Sequence, residues 1–268
     1  MTATETVRGA AHSTTMRRLA RLGLAARGAI YLLVGVLAVL LALGKKNSET
    51  DQRGALQETT QHTGGTFLVW VIAIGLACYA LWRFSEAAFG VVGEGNKAGP
   101  RLQSFVRGCI YAFLAIGAFK LLLNSGGSSQ AKQQETITAK VMQHNGGRWA
   151  VGIVGVIIVI VGLVLVWQGL RHQFEKYLDL GAMSYETHRV VRVIGTIGTA
   201  ARGIVFALAG IFVVQAARDY DPKKASGLDG ALRTLRDTSA GPWLLILVAA
   251  GLILFGIYGF AEARWRRT

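Results

Sequence analysis

The chain of 268 residues is 52% hydrophobic and only 16% charged, and it contains 34 glycines but three prolines. Soluble domains carry about 25% charged residues, so this composition excludes an ordinary soluble domain, a disordered chain, a collagen and a disulfide scaffold. The net charge is +14, from 29 Lys and Arg residues against 15 Asp and Glu residues. These residues separate apolar runs instead of forming one patch, which indicates loops beside anionic lipid and not a nucleic-acid binder.

Six apolar runs are long enough to cross a bilayer, which takes about 20 residues per helix. In chain order they cover residues 24–43, 66–89, 102–123, 149–170, 193–217 and 242–263. The sequence therefore predicts an all-α integral membrane protein with six transmembrane helices. Basic residues precede the first run as in a signal peptide, but its pattern recurs later inside the chain, so we expect it to belong to the fold.

The basic residues are unevenly shared between the two sides of the predicted bundle. The side with both termini and the second and fourth loops holds more of the 29 Lys and Arg residues than the other side. The positive-inside rule then places both termini in the cytoplasm. The predicted location is a plasma membrane, which the chain crosses several times.

A short pattern of arginine, glycine, two variable residues and an aromatic residue recurs in the first, third and fifth runs. It begins at Arg27, Arg107 and Arg202. In each copy a small residue follows seven positions after the glycine, at Gly35, Ala115 and Gly210. Seven residues is almost two turns, so the two small residues share one helix face.

Two further matches complete the repeat. Residues 61–65 and 143–147 both read Gln-His-x-Gly-Gly, whereas their counterpart at 237–241 lacks the histidine. The second and sixth runs end in similar segments that contain Glu86 and Glu262. We therefore predict three two-helix hairpins, at 17–95, 96–180 and 181–268, after a flexible basic N-terminus at 1–16. All copies begin on one side of the membrane, which predicts a pseudo-threefold bundle.

The repeats resemble a bacterial membrane family known as domain of unknown function 1206, which is frequent in actinobacteria. The resemblance covers nearly the whole chain. It implies a six-helix integral membrane protein built from three repeats, and it implies no activity. The lost histidine in the third repeat and the less regular end of the second depart from the pattern.

The repeated arginines and glutamates are predicted to meet at one end of the bundle, because the odd helices begin where the even helices end. A charge inside a membrane is costly unless it pairs or reaches the interface. The predicted contacts join Arg27 to Glu86, Arg202 to Glu262, and Arg107 to Gln173 or Glu175. Two interpretations stay open, a structural clamp and a ring of arginines around an anion or a lipid headgroup.

Other repeated residues have predicted structural roles. Small residues let helices approach closely in lipid, so we expect packing at the glycines spaced by seven, Gly28, Gly35, Gly155, Gly162, Gly203 and Gly210. His62 and His144 are predicted to serve turns or helix caps and not a metal, since Zn²⁺ takes three or four ligands. The spacing of Leu228, Ala231, Leu232 and Leu235 predicts a short interfacial helix, echoed by Ala55 and Leu56.

The sequence has no phosphate-binding glycine loop followed by Lys-Ser/Thr, no His-Glu-x-x-His and no Gly-x-Ser-x-Gly. We therefore expect no enzyme, no cofactor and no metal. The leading hypothesis is a membrane component that acts by interaction with membrane lipids or with an unidentified membrane protein partner, and not with nucleic acid. The alternative is a pore or carrier for a small, anionic solute along the pseudo-threefold axis.

Overall fold

The computed structural model describes residues 14–44, 50–91, 97–123, 130–225, 227–237 and 240–267. Within these ranges the chain forms nine α-helices. They are α1 (Thr14–Ala42), α2 (Gln52–Thr60), α3 (Gly65–Phe89), α4 (Ala98–Leu122), α5 (Gln130–Met142), α6 (Gly147–Leu170), α7 (Tyr185–Asp219), α8 (Gly227–Arg236) and α9 (Gly241–Trp265). Short 3-10 turns occur at Gln173–Tyr177, Leu180–Ala182 and Pro222–Lys224. Most of the predicted N-terminal segment, residues 1–13, lies outside the described residues.

Among the described residues, six helices are long and apolar enough to cross a membrane: α1, α3, α4, α6, α7 and α9. This confirms the prediction of an all-α membrane protein with six spans. Two helices begin well before their apolar runs, α1 at Thr14 and α7 at Tyr185. Arginines such as Arg17 and Arg192 lower the hydropathy there, but arginine is a good helix former and does not end a helix.

Each repeat consists of a spanning helix, a short helix and a second spanning helix. Asp51 caps the short helix α2 by accepting a hydrogen bond from the Gly54 amide, as N-cap residues do. The predicted helices at α2 and α8 are present, and α5 occupies the equivalent position in the second repeat. Leu56 and Leu232 are almost fully buried, and the placement of these short helices in the membrane interface stays a prediction.

The spanning helices pack in the order α4, α3, α1, α9, α7, α6. The first and third hairpins have closely packed helices, and neighbouring repeats contact each other through α3 with α4, α6 with α7, and α9 with α1. The second hairpin differs, since within the described residues its helices α4 and α6 barely contact one another. The bundle is therefore an arc with α4 and α6 at its two ends, and this opening departs from threefold symmetry.

Candidate functional site

Charged side chains of all three repeats meet where α3 and α9 end, beside the first half of α4 and the middle of the longer helices α1 and α7. We call this group the arginine cluster. Within the described residues its members are Arg27, Arg83, Arg107, Arg202, Arg266, Glu86 and Glu262. Five guanidinium groups face two carboxylates, so the cluster carries three uncompensated positive charges.

Glu262 joins the third repeat to the first. Its Oε2 accepts a hydrogen bond from Nη2 of Arg27 on α1 at 2.5 Å, and its Oε1 accepts one from Nη1 of Arg266, one turn later in the chain. Both Glu262 and Arg27 are only 5% exposed. Charge-assisted hydrogen bonds of this kind are stronger than neutral ones, so Glu262 fixes the end of α9 against α1.

Glu86 occupies the equivalent position at the end of α3. Its Oε2 accepts hydrogen bonds from Nη1 of Arg83 at 2.6 Å and from Oγ of Ser104 on α4 at 3.0 Å. Nη2 of Arg266 lies 3.9 Å from the other carboxylate oxygen. Glu86 thus contacts side chains from all three repeats.

The carboxylate partners expected from the sequence are wrong, whereas Gln173, the other partner expected for Arg107, lines the same cavity as Arg107. Glu262 pairs with Arg27 and not with Arg202, because α9 packs against α1. Glu86 pairs with Arg83 of its own helix and not with Arg27. Glu175 binds Arg192 and not Arg107. The prediction placed these charged residues at the correct end of the bundle, but it paired them within each hairpin.

Arg107 and Arg202 have no ion pair within the described ranges. The guanidinium of Arg202 lies over aromatic rings, with its Cζ 4.9 Å from the ring centre of Phe255 and 5.4 Å from that of Tyr31. Arg27 contacts the same Phe255 ring, at 5.2 Å. Cation–π contacts compensate part of the desolvation of a guanidinium but satisfy none of its N–H groups.

Three buried N–H donors in the cluster lack a partner within the described residues: Nε of Arg27, Nε of Arg202 and Nε of Arg266. An unsatisfied buried donor costs about 1–3 kcal/mol, and more for a charged group. Such donors are uncommon in folded proteins. The cluster therefore has both charge and hydrogen-bonding capacity that its own residues do not use.

The three arginines that carry these donors also line a cavity of about 90 Å³. All three repeated arginines, Arg27, Arg107 and Arg202, line it, together with Arg266 and Glu262. Its walls also include residues of α4 and α6, the two end helices of the arc.

The connection between α6 and α7 closes one side of the cavity. Phe174 is buried there against the ring of Tyr258 at 5.2 Å. Leu178 forms an antiparallel bridge with Arg266, and the Asp179 amide donates to the carbonyl of Trp265 at 2.7 Å. These backbone contacts fix the connection to the end of α9, next to the arginine cluster.

The same connection contains an ion pair that predicts a pH dependence. Glu175 Oε1 lies 2.6 Å from Nε of Arg192 and 3.3 Å from Nε2 of His188. Burial raises the pKa of Glu175, but the hydrogen bond and charge of Arg192 and the charge of His188 outweigh it and hold the pKa below its ordinary value.

Since the pKa is lower in the folded than in the unfolded chain, Glu175 stabilises the fold above the ordinary glutamate pKa, and this stabilisation is lost as pH falls through the folded-state value. We expect Glu175→Gln to lower Tm near neutral pH and to match the wild type well below about pH 4.3. Thermal unfolding in detergent across this range measures both curves. A constant difference between them would contradict the prediction.

The glycines expected to serve packing lie at helix contacts. A Cβ on Gly162 of α6 would lie 2.5 Å from the Ala207 nitrogen and 2.7 Å from the Gly203 oxygen of α7. Gly155 and Gly210 face each other along the same contact, while Gly28 and Gly35 face α9. Each pair lets two helix backbones approach closely.

The two repeated histidines lie in matching tight turns at the start of α3 and α6. The carbonyls of His62 and His144 accept hydrogen bonds from the amides of Gly65 and Gly147, each at 2.9 Å. The intervening Gly64 and Gly146 have positive φ angles of 76° and 79°, where glycine is favoured. This geometry explains why the Gly-Gly pair recurs.

Sequence reasoning missed Arg83, Arg266 and Tyr79. Tyr79 accepts hydrogen bonds at its hydroxyl from Nη2 of Arg83 at 2.7 Å and from Nη1 of Arg27 at 3.3 Å. Arg83 precedes Glu86 by three residues and Arg266 follows Glu262 by four. Residues three or four apart lie on one helix face, so this spacing could have indicated both ion pairs from the sequence.

Comparison with known proteins agrees with the repeat structure. The family model described as Domain of Unknown Function (DUF1206) matches residues 22–90, 102–172 and 197–266. The chain is similar to "Uncharacterized protein YxxB" of Bacillus subtilis (strain 168), with 31% identity over 250 residues, 92% of this chain and 90% of that protein. No solved structure matches. The actinobacterial association stays a prediction. With three matches that together span most of its length, the chain belongs to the DUF1206 family.

Proposed function

We propose that this multi-pass membrane protein acts by binding an anion at the arginine cluster, and not by catalysis. The observation that carries the proposal is the set of three buried arginine Nε donors without partners, beside a cavity lined by all three repeated arginines. With the charges of Glu86 and Glu262 counted, the cluster still carries three excess positive charges.

The chemistry of the donors favours an oxyanion. Guanidinium groups are planar, remain charged and match the oxygens of phosphate and carboxylate groups. A bound oxyanion would accept the unused N–H donors and reduce the repulsion among the five arginines.

The clamp interpretation accounts for part of the cluster. Glu262 holds Arg27 and Arg266, and Glu86 holds Arg83. A clamp does not require Arg107 and Arg202, which have no ion pair in the described part of the chain. The two interpretations therefore apply to different members, and the anion site comprises mainly Arg107, Arg202 and the free edges of Arg27 and Arg266.

The interior of the bundle argues against conduction along the predicted axis. Apolar side chains that are less than 2% exposed continue from the cluster toward the short helices. They include Val34, Leu41, Ile72, Leu76, Leu245 and Leu252. Binding at one end of the bundle is consequently better supported than a pore or carrier. A plasma-membrane location with the cluster facing the cytoplasm follows from the charge distribution and belongs to the same proposal.

Binding of inorganic phosphate to delipidated protein in detergent tests the proposal. We expect phosphate to raise Tm of the wild type, and Arg107→Gln and Arg202→Gln each to weaken its Kd by about tenfold or more, as loss of a charged hydrogen bond does. These two arginines are chosen because their replacement breaks no ion pair in the described residues.

Arg101→Gln is the matched control. Arg101 also lies near the start of α4. Its guanidinium donates hydrogen bonds to the carbonyls of Ala87 and Ala88, each at 2.8 Å, and it does not line the cavity. It should bind phosphate as the wild type does. A wild type that does not respond to phosphate, or equal binding by all variants, would overturn the proposal.

A further inference from the structure

We propose that the anion is the headgroup of an anionic phospholipid, which reaches the arginine cluster sideways through the opening between α4 and α6. This inference rests on the proposed anion site and names the ligand that fills it. Its first support is the packing order, since α4 and α6 are the ends of the arc and barely contact each other in the described residues.

The cavity lies at this opening. Gln103 and Arg107 on α4 line it from one side, and Leu165 and Gln168 on α6 line it from the other. A cavity bounded by two helices that do not pack together is accessible from between them. At this position the bundle faces the bilayer, because both helices are candidate spans with most of their surface exposed.

The remaining sides of the cavity are covered by described residues. Phe174 and Tyr177 of the connection between α6 and α7 line it from the loop side, and backbone hydrogen bonds hold that connection to the end of α9. Toward the middle of the membrane, Phe255 and Tyr258 are buried. The lateral side, between α4 and α6, is the side that these elements leave uncovered.

Exposure of the polar residues changes with depth in the cavity. Gln103 and Lys176 are exposed at its rim, Arg107 and Arg202 are half-buried, and Arg27 is fully enclosed. Arg107 lies nine residues after the start of α4, which is about 14 Å along a helix axis at 1.5 Å per residue. A headgroup phosphate that binds Arg107 must therefore enter between α4 and α6, beyond the first turns of α4.

The helix faces beyond the polar residues suit acyl chains. One turn after Arg107, the same face of α4 carries Ile110, and one turn before Leu165 the same face of α6 carries Val161. Ile110 and Val161 are 50% and 44% exposed. A basic pocket that continues into an exposed apolar cleft complements an anionic phospholipid, which combines a phosphate with hydrocarbon chains.

The test compares lipids on delipidated wild-type protein by native mass spectrometry. The probes are phosphatidylglycerol, which is anionic, and phosphatidylcholine, which has no net charge. We expect phosphatidylglycerol to be retained at least tenfold more and to compete with inorganic phosphate, and we expect Arg107→Gln and Arg202→Gln to remove this preference.

Two variants address the lateral route. Gln103→Trp and Gln168→Trp add bulk from opposite walls of the opening and leave every arginine in place. Leu163→Trp is the control, since Leu163 is 58% exposed and lies on a different face of α6 from Gln168. We expect each glutamine variant to lower phosphatidylglycerol retention by about tenfold and the control to leave it unchanged. If a tryptophan variant fails to fold, competition between phosphatidylglycerol and inorganic phosphate on the wild type still tests whether the lipid headgroup occupies the anion site.

The outcomes separate the two proposals. Phosphate binding that depends on Arg107 and Arg202, combined with equal retention of both lipids, would overturn the lipid inference and leave the anion site standing. Unchanged phosphatidylglycerol retention in Gln103→Trp and Gln168→Trp would likewise overturn the lateral route and leave the anion site standing. Absence of phosphate binding by the wild type would overturn both proposals, because the lipid inference rests on the anion site.

Discussion

Glu262→Gln is expected to lower the free energy of unfolding by about 3–5 kcal/mol, the usual result of removing one partner of a buried ion pair. The substitution conserves volume, so the effect arises from charge. It leaves Arg27, which is 5% exposed, and Arg266 without their shared carboxylate. The cluster would then contain five guanidinium groups and the single carboxylate of Glu86.

A double variant shows whether the loss of stability comes from the unpaired charge of Arg27 or from any change at Glu262. Replacing both Arg27 and Glu262 with methionine removes one charge of each sign, and buried pairs replaced by apolar residues often cost little. We therefore expect the double variant to be more stable than Glu262→Gln. Glu86→Gln should be destabilising but less so, because Arg83 retains its hydrogen bonds to Tyr79.

Unfolding in detergent, followed by tryptophan fluorescence, measures these differences. A double variant that loses as much stability as the sum of its single changes would show that Arg27 and Glu262 are not coupled. An unchanged Tm for Glu262→Gln would contradict the clamp directly. Both results would leave the anion site to be judged on Arg107 and Arg202.

The sequence predicted the architecture because its signals are local or periodic. Apolar runs fix the number of spans, and the repeated arginine, Gly-Gly and glutamate positions fix the three hairpins. The recurring Gly-Gly pair also reflects one local turn, with Gly64 and Gly146 at positive φ. The same periodicity correctly brought Arg27, Arg107 and Arg202 to one cavity, because equivalent positions in parallel repeats lie at the same depth.

The partners within the cluster and the opening of the bundle could not be predicted in this way. Which carboxylate meets Arg27 depends on which helix packs against α1. That choice is made by close approaches such as Gly28 to Gly256, and a single sequence does not show which glycine faces which helix. The same limit hid the separation of α4 and α6, since repeat logic assigns all three hairpins the same packing.

Gly162→Leu should be the most damaging change to packing in the membrane. A Cβ at this position would lie 2.5 Å from the Ala207 nitrogen and 2.7 Å from the Gly203 oxygen. These are backbone atoms, so no side chain can rotate away and α6 must move from α7. Overpacking usually costs about 1–3 kcal/mol and sometimes more, and we expect a loss at or above the upper end because α6 packs mainly on α7.

Gly152→Ala provides the matched control on the same helix. Its Cβ would lie 3.6 Å from the Ala217 Cβ, an ordinary contact, and alanine favours a helix over glycine by about 1 kcal/mol. We expect Gly152→Ala to be neutral or stabilising and Gly162→Ala to be destabilising, with Gly162→Leu worse. Because α6 contributes Leu165 and Gln168 to the cavity, displacement of α6 should also weaken phosphatidylglycerol binding. Monodisperse Gly162→Leu protein with wild-type Tm would show that the close approach of α6 to α7 is not required.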